Sequence, residues 1–202
     1  MSSDVFELIC AMNRNSVEMQ LAVQCAPLIA GLKISNLLII PQENEEAFEN
    51  LMKDSDLSVY FLTRFNGKLV YLLFRYEELE ALLCEHRIKG FFSREGYRDL
   101  SIHAILRKLK NRYEKHTISG GDFPHEMGLL LGYPIEDVEG FIENGGNNCL
   151  YTGYWKVYNK PEEKKRIFRS YEKATERIIR LMSNGMTVGD IINVRKEKLY
   201  AI

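Results

Sequence analysis

Three residues in this sequence have side chains that could together perform nucleophilic chemistry: Cys25, His125 and Glu126. Proline disfavours helical geometry at the residue before it, so Pro27 predicts an extended Ala26 and places Cys25 at a reachable bend. In thiol enzymes a histidine lowers the pKa of the cysteine, and an acid or amide orients the histidine. Cys25, His125 and Glu126 are therefore the candidate catalytic residues.

Each of these residues also has a structural interpretation. Unpaired cysteines are often buried and act as small hydrophobic side chains. The pair His125 and Glu126 follows Pro124, which is tolerated in a first helical turn, so the pair could simply begin a capped helix. In that position the helix dipole favours a neutral imidazole, which can serve as a base or as a metal ligand.

The richest stretch of polar and aromatic groups runs over residues 123–158 and contains the only tryptophan, Trp155. Tyrosines surround Trp155 and Lys156, so this segment could form a stacking wall for a planar ligand, or it could be core. Asn147 lies in a Gly-Gly-Asn-Asn turn whose backbone amides could meet an anion. That turn lacks the lysine and hydroxyl residue of a P-loop, and a helix-terminating turn fits it better.

The elements around these residues predict an α+β fold. Asn66-Gly67 separates two segments rich in aromatic and β-branched residues, a pattern typical of a two-residue hairpin. We expect a small, mainly antiparallel sheet built on this central hairpin, with residues 34–40 and 150–157 as further strands, packed against several helices. Apolar residues at helical spacing predict helices over about 98–116 and 161–183. On the first of these, the basic residues Arg107, Lys108, Lys110 and Arg112 are expected to face solvent.

Composition places the chain among soluble globular proteins, because 46% of its 202 residues are hydrophobic and 27% are charged. We expect a single domain over residues 1–202, with a C-terminal helical segment at about 159–202 packed on it. No basic segment precedes an apolar run at the start, and no apolar run approaches the length of a membrane span. The four cysteines form no closely spaced pair, which argues against zinc, so we predict a cytoplasmic protein with no metal site. The sequence does not identify a cofactor or an oligomeric state.

Charge is unevenly distributed along the chain. Residues 1–155 carry 15 basic and 22 acidic side chains, whereas residues 156–202 carry 12 and 6. A solvated helix face explains this bias most simply. It could also mark a surface for an acidic protein partner, whereas nucleic acid is disfavoured because no recognition motif accompanies the charge.

Three sets of segments give the chain a resemblance to a known family. They are Cys25-Ala-Pro with Gly31-Leu-Lys33, Phe123-Pro-His-Glu126 with Leu131-Gly-Tyr-Pro134 and Glu136-Asp-Val138, and Gly153-Tyr-Trp-Lys-Val-Tyr158. In these segments the sequence resembles domain-of-unknown-function family 3793 of anaerobic Gram-positive bacteria. The resemblance implies no activity, but it places Cys25, Lys33, His125, Glu126, Trp155 and Lys156 in signature segments. One departure is Gln24, which stands where a histidine is expected and weakens a scheme that pairs the cysteine with an adjacent histidine.

Two functions follow as hypotheses. The first is a binding or regulatory protein whose pocket or partner surface is lined by residues 123–158, with Lys33, Asn147, Trp155 and Lys156 as candidate ligand-binding residues. Its partner would be a small molecule, or an acidic protein that docks on the basic C-terminal helix. The alternative is a thiol-dependent hydrolase or transferase that uses Cys25 and His125.

Overall fold

The computed structural model describes residues 3–53 and 55–193. These residues form two compact units, of which unit 1 comprises the described residues up to Arg75 and from Arg169 onward, and unit 2 comprises Tyr76–Phe168. Helices and a three-stranded antiparallel sheet occur together, so the predicted α+β fold is confirmed. None of the helices in the described part of the chain is both long and apolar enough to cross a membrane.

Unit 1 contains the three-stranded sheet, whose order is β1-β3-β2. Strand β1 spans Ser35–Pro41, β2 spans Ser58–Phe65 and β3 spans Lys68–Phe74, and both pairings are antiparallel. Asn66 and Gly67 join β2 to β3 with φ values of 48° and 69°. Positive φ at both positions is the geometry of a type I′ turn, which matches the twist of the strands it joins.

The helices of unit 1 pack one face of this sheet. They are α1 (Ser3–Ala11), α2 (Val17–Ile29), α3 (Glu45–Met52), the C-terminal half of α9 (Pro161–Ser183) and α10 (Val188–Asn193). Leu38 and Ile40 of β1, with Leu69, Tyr71 and Leu73 of β3, belong to the same buried cluster as these helices. Alternate residues of each strand reach this cluster, as the period of two in a pleated strand requires.

The prediction that Pro27 makes Ala26 extended and places Cys25 at a bend is wrong. Helix α2 continues through Pro27 to Ile29, and Cys25 lies within the helix, not at a bend. Pro27 falls in the last turn, where its missing N–H removes one hydrogen bond close to the helix end. Leu28 and Ile29 are both buried in the core, and their burial offsets that loss.

Unit 2 is mainly helical. Its helices are α4 (Tyr76–Cys84), α5 (His86–Arg94), α6 (Ile102–Ser119), α7 (Glu126–Leu130), α8 (Ile135–Glu143) and the first turns of α9. Ser101 caps α6 by accepting a hydrogen bond from the Ala104 amide. Gly120 ends α6 in the left-handed conformation, with φ 67°.

The prediction that residues 150–157 add a strand to the sheet is wrong. Strands β4 (Tyr151–Thr152) and β5 (Lys156–Val157) pair only with each other, as a separate two-stranded sheet. The chain reverses between them, and the Gly153 amide donates to the carbonyl of Trp155. Aromatic alternation therefore reflects the two arms of a hairpin, because a turn in the middle of the segment keeps it from forming one longer strand.

Candidate functional site

Cys25 is fully buried in α2. Its thiol donates to the carbonyl oxygen of Leu37 at 3.8 Å. Burial raises the pKa of Cys25 to about 12, while the amide of Asn36 and the charge of Lys33 act in the opposite direction. A nucleophilic cysteine needs a lowered pKa and an approach for substrate, so this environment disfavours the thiolate on both counts.

Lys33 lies close enough to Cys25 for its charge to act on the thiol, and it is also buried. Its ammonium group donates to Asn36 Oδ1 at 2.6 Å. Burial lowers the pKa of Lys33 to about 8, and Cys25 opposes this shift. Lys33 and Cys25, which come from separate signature segments, therefore form one polar cluster with Asn36 inside unit 1.

This cluster completes the outer edge of strand β1. Asn36 Nδ2 donates to the carbonyls of Gln24 and Leu37 at 2.7 and 2.8 Å. Gln24 donates to the carbonyl of Ile39 and accepts from its amide, both at 2.9 Å. Unpaired edge groups invite further strands, so these amide side chains from α2 and β1 close that edge. Gln24 thus has a structural role that a carboxamide can fill because it both donates and accepts.

His125 occupies the position before the first residue of α7 and is half-buried. Its ring lies 6.1 Å from the ring of Phe123 and 5.5 Å from that of Phe141. The predicted helix start at this proline is correct to within two residues, since α7 begins at Glu126. His125 belongs to unit 2 and Cys25 to unit 1.

Glu126 is fully buried, unlike a general base that must meet substrate. Its Oε1 accepts from the hydroxyl of Tyr97 at 2.6 Å and pairs with Arg112 at 2.7 Å. Its Oε2 is buried and accepts no hydrogen bond from the described residues. A buried carboxylate paired in this way holds α7 to α6, and removal of Arg112 would leave an uncompensated buried charge.

The basic face of α6 is not wholly solvated, contrary to expectation. Arg112 reaches Glu126, and Lys108 donates to the carbonyls of Glu95 and Gly96 at 3.1 and 2.7 Å. Burial, followed by the hydrogen bond to Glu126, raises the pKa of Tyr97. Sequence periodicity alone could not assign these partners, because they come from other elements of unit 2.

Trp155 is buried and anchors the hairpin to α8. Its indole Nε1 donates to Asp137 Oδ2 at 2.7 Å. Asp137 Oδ1 accepts from the amides of Tyr158 and Asn159 at 2.8 and 3.0 Å. One carboxylate therefore satisfies three donors at the entry to α9. Sequence analysis named Asp137 only within the family segment Glu136-Asp-Val138, and no local signal in the sequence indicates these three hydrogen bonds.

Of the two remaining candidates, Asn147 lies in the turn between α8 and β4, and Lys156 begins β5 and reaches back to that turn. Lys156 donates to the carbonyl of Gly146 at 2.7 Å and lies 5.8 Å from the ring of Phe141, which His125 also contacts. Asn147 is exposed and donates to the carbonyl of Gly145 at 3.4 Å. The structure thus brings His125 and Lys156 to one ring, with Lys156 fixing the turn.

Three apolar side chains in and next to the hairpin are exposed. Leu150, Tyr151 and Tyr154 are 61%, 38% and 41% exposed, and we call these three residues the hairpin patch. The Lys165 ammonium lies 5.1 Å from the centroid of the Tyr151 ring, within cation–π distance. Phe168 packs beneath, in contact with the rings of both tyrosines. Sequence analysis noted the tyrosines and left two alternatives for them, a stacking wall or core.

None of the candidate residues lines a cleft found in unit 1. That cleft encloses about 720 Å³ and lies beside the starts of α2, α3 and α10. Its lining residues are Ser16, Val17, Glu18, Asn44, Ala47, Asn50, Leu51, Thr187, Gly189 and Asp190. Within the described residues, no three His, Cys, Asp or Glu side chains are grouped so that they could hold a metal ion.

Comparison with known proteins gives a family but no activity. No curated protein and no solved structure matches the chain. The family described as "Protein of unknown function (DUF3793)" matches residues 21–192, which is more than four-fifths of the sequence. This range includes every candidate residue and both the buried clusters and the hairpin patch. The chain therefore belongs to the DUF3793 family of proteins of unknown function.

Proposed function

We propose that this protein is a non-catalytic binding protein that works in the cytoplasm and recognises a partner protein through the hairpin patch. The observation that carries the proposal is the exposure of Leu150, Tyr151 and Tyr154 on one short hairpin. Contiguous apolar groups at a surface are typical of interaction sites, and tyrosine is among the residues that contribute most binding energy there.

The hairpin is held in place before any partner arrives, which reduces the entropy cost of binding. Trp155 bonds to Asp137 and stacks on Tyr133, with ring centroids 4.8 Å apart. The ring of Phe168 meets Trp155 edge-on at 4.5 Å. The patch therefore has a rigid support, although β4 and β5 pair over only two residues each.

Two further observations support this choice. Cys25 is buried and its raised pKa opposes thiolate formation, so the thiol enzyme is not favoured. All four cysteines are free, which suits a reducing compartment such as the cytoplasm.

Photo-cross-linking tests the proposal. A photoreactive phenylalanine analogue is placed at Tyr151 in cells that naturally express the protein, and the matched control carries it at Ile118. Ile118 is also apolar and 65% exposed, but it lies near the end of α6. We expect a discrete cross-linked protein from position 151 and none from position 118. The double substitution Leu150→Asp and Tyr154→Ser removes two apolar contacts. It should lower the affinity for that partner by at least about tenfold.

Equal cross-linking from both positions would contradict the proposal, because it would indicate collision without recognition. A second result would also contradict the proposal: no cross-link forms at position 151, and a metabolite raises the unfolding temperature of the purified protein. That second result would favour a small-molecule ligand.

A further inference from the structure

Four basic residues form a line along the C-terminal half of α9, within unit 1. They are Arg169, Lys173, Arg177 and Arg180, and we call them the cationic stripe. Each residue of an α-helix turns by about 100°, so these four lie within an arc of about 80° and span roughly 16 Å. Arg169, Lys173 and Arg180 are exposed, and Arg177 is half-buried.

The stripe faces away from the core of unit 1. Tyr171, Ala174 and Ile178 of the same helix are buried. Their positions on the helical wheel are centred on the opposite side from the four cations. The hydroxyl of Tyr171 donates to the carbonyl of Leu32, which fixes the rotation of the helix within unit 1.

The cations of the stripe are almost without counter-ions. Arg169, Lys173 and Arg177 form no ion pair with any described residue, and Arg180 has only a 3.9 Å contact with Asp4. Glu172 lies on the flank of the stripe, and it forms no ion pair with the stripe residues. Four charges of one sign in a row therefore raise the local positive potential without internal compensation.

Five of the nine other arginines in the described part of the chain are paired with carboxylates. Arg64 pairs with Glu45 and Arg75 with Asp56, each at 3.0 Å or less. In unit 2, Arg87, Arg94 and Arg112 pair with Glu136, Glu139 and Glu126. The row on α9 differs from these five arginines, because among its members only Arg180 has a carboxylate of a described residue as close as 3.9 Å.

The spacing and chemistry of the stripe fit carboxylates better than a nucleic acid. Successive cations are four residues apart at Arg169, Lys173 and Arg177, which corresponds to about 6 Å along the helix axis. Carboxylates on one face of an acidic helix repeat at a similar distance, and guanidinium groups bind them with two hydrogen bonds. A nucleic acid would need a broad basic surface, whereas the chain has a net charge of −1 and unit 1 exposes Glu43, Glu46 and Glu49.

We propose that the cationic stripe of α9 is a docking surface for an acidic helical segment of a partner protein. The inference rests on the charge and geometry of α9 and does not require the hairpin patch to bind anything. A partner of this kind would associate rapidly at low salt and more weakly as salt screens the charges.

Fluorescence anisotropy with a labelled deca-glutamate peptide tests this proposal on the full chain. The stripe variant carries Arg169→Glu, Lys173→Glu and Arg177→Glu. The matched control carries Arg98→Glu, Arg107→Glu and Lys115→Glu, three exposed cations of unit 2 that also lack ion pairs with the described residues. Both variants change the net charge equally. We expect the stripe variant to bind the peptide at least about tenfold more weakly and the control to stay within about threefold.

A second variant, Arg169→Gln, Lys173→Gln and Arg177→Gln, serves if charge reversal disturbs folding. It should weaken peptide binding by about three- to tenfold while circular dichroism remains that of the wild type. Equal weakening in the control would overturn the proposal, because net charge would then explain binding. Tighter binding of a DNA duplex of equal charge would also overturn it, as would wild-type self-association that the stripe variant abolishes.

Discussion

Two buried side chains of unit 1, Lys33 and Cys25, have pKa values displaced in opposite directions by the same cause. Removal from water disfavours a charged ammonium and a charged thiolate alike. The pKa of Lys33 falls from 10.5 to about 8, and that of Cys25 rises from 9.0 to about 12. At neutral pH the cluster therefore holds a buried positive charge beside a neutral thiol.

The pH dependence of stability should reveal these two groups separately. Between about pH 8 and pH 10.5 the unfolded chain binds the Lys33 proton more tightly than the folded chain does. The contribution of Lys33 to the free energy of unfolding therefore rises with pH, by on the order of 3 kcal/mol over this range. Above pH 9.0 the folded state retains the Cys25 proton that the unfolded state loses. The contribution of Cys25 to the free energy of unfolding therefore falls as the pH rises from 9.0 to about 12. Urea unfolding of wild type and Lys33→Met at about pH 8 and pH 9 measures the first effect. The rise should disappear in Lys33→Met, and an identical slope in the two proteins would show that Lys33 is not its source.

Two of the candidate site residues, Glu126 and Trp155, are buried, and the structure gives each of them partners within unit 2. Glu126 and Trp155 were predicted at a functional surface, and both are buried in polar networks that hold unit 2 together. Polar groups able to meet a ligand are equally able to meet each other. Their partners Arg112 and Asp137 lie 14 and 18 residues away in sequence, so spacing could not reveal the pairing.

At the scale of elements, the hairpin β4–β5 depends on a close approach between its turn and helix α9. A Cβ atom added at Gly153 would lie 2.3 Å from the ring of Phe168, which is buried. No aromatic ring can accept a contact so short, and Trp155 leaves little room for the ring to move, because its own ring centroid is 4.5 Å away. Glycine is therefore required at this position to seat the hairpin on the helix.

Gly153→Ala should destabilise the protein by about 1–3 kcal/mol through overpacking, as measured by chemical denaturation. The matched control is Gly90→Ala, since a Cβ there meets only the end of Arg94 at 3.9 Å inside α5. That change should be neutral or stabilising by up to about 1 kcal/mol. Phe168→Leu should recover part of the loss in the Gly153→Ala background, and strictly additive effects would disprove the steric explanation.

At the scale of the whole molecule, the chain forms two compact units, and each has its own buried residues. We propose that they nevertheless unfold as the single domain expected from the length of the chain. Helix α9 supports this, since it runs without a break from residues of unit 2 into residues of unit 1. A continuous helix of 23 residues gives the two units a shared element.

Equilibrium unfolding in urea can test this proposal with two probes. Trp155 is the only tryptophan and lies in unit 2, so its fluorescence reports on that unit, whereas far-ultraviolet circular dichroism reports on the helices of both. Coincident transitions with one midpoint are expected of a single cooperative domain. Two separated midpoints would instead mean that the units are independent domains, and a circular dichroism trace with two steps would show it directly.

The sequence by itself determined the α+β class, the family and most of the local elements. Apolar periodicity placed α6 and α9, and Pro124 placed the start of α7 to within two residues, because these signals act within one or two turns of chain. Only the tertiary structure decided that α2 runs through Pro27 and that residues 150–157 form a separate hairpin and not a strand of the three-stranded sheet. Burial of distant side chains outweighs a local proline penalty, and Asp137 gathers donors from residues far along the chain. Packing between residues that are distant in sequence also decides which side chains are buried. Glu126 is buried in this way, whereas Leu150 and most of the cationic stripe stay exposed, and sequence spacing does not predict the difference.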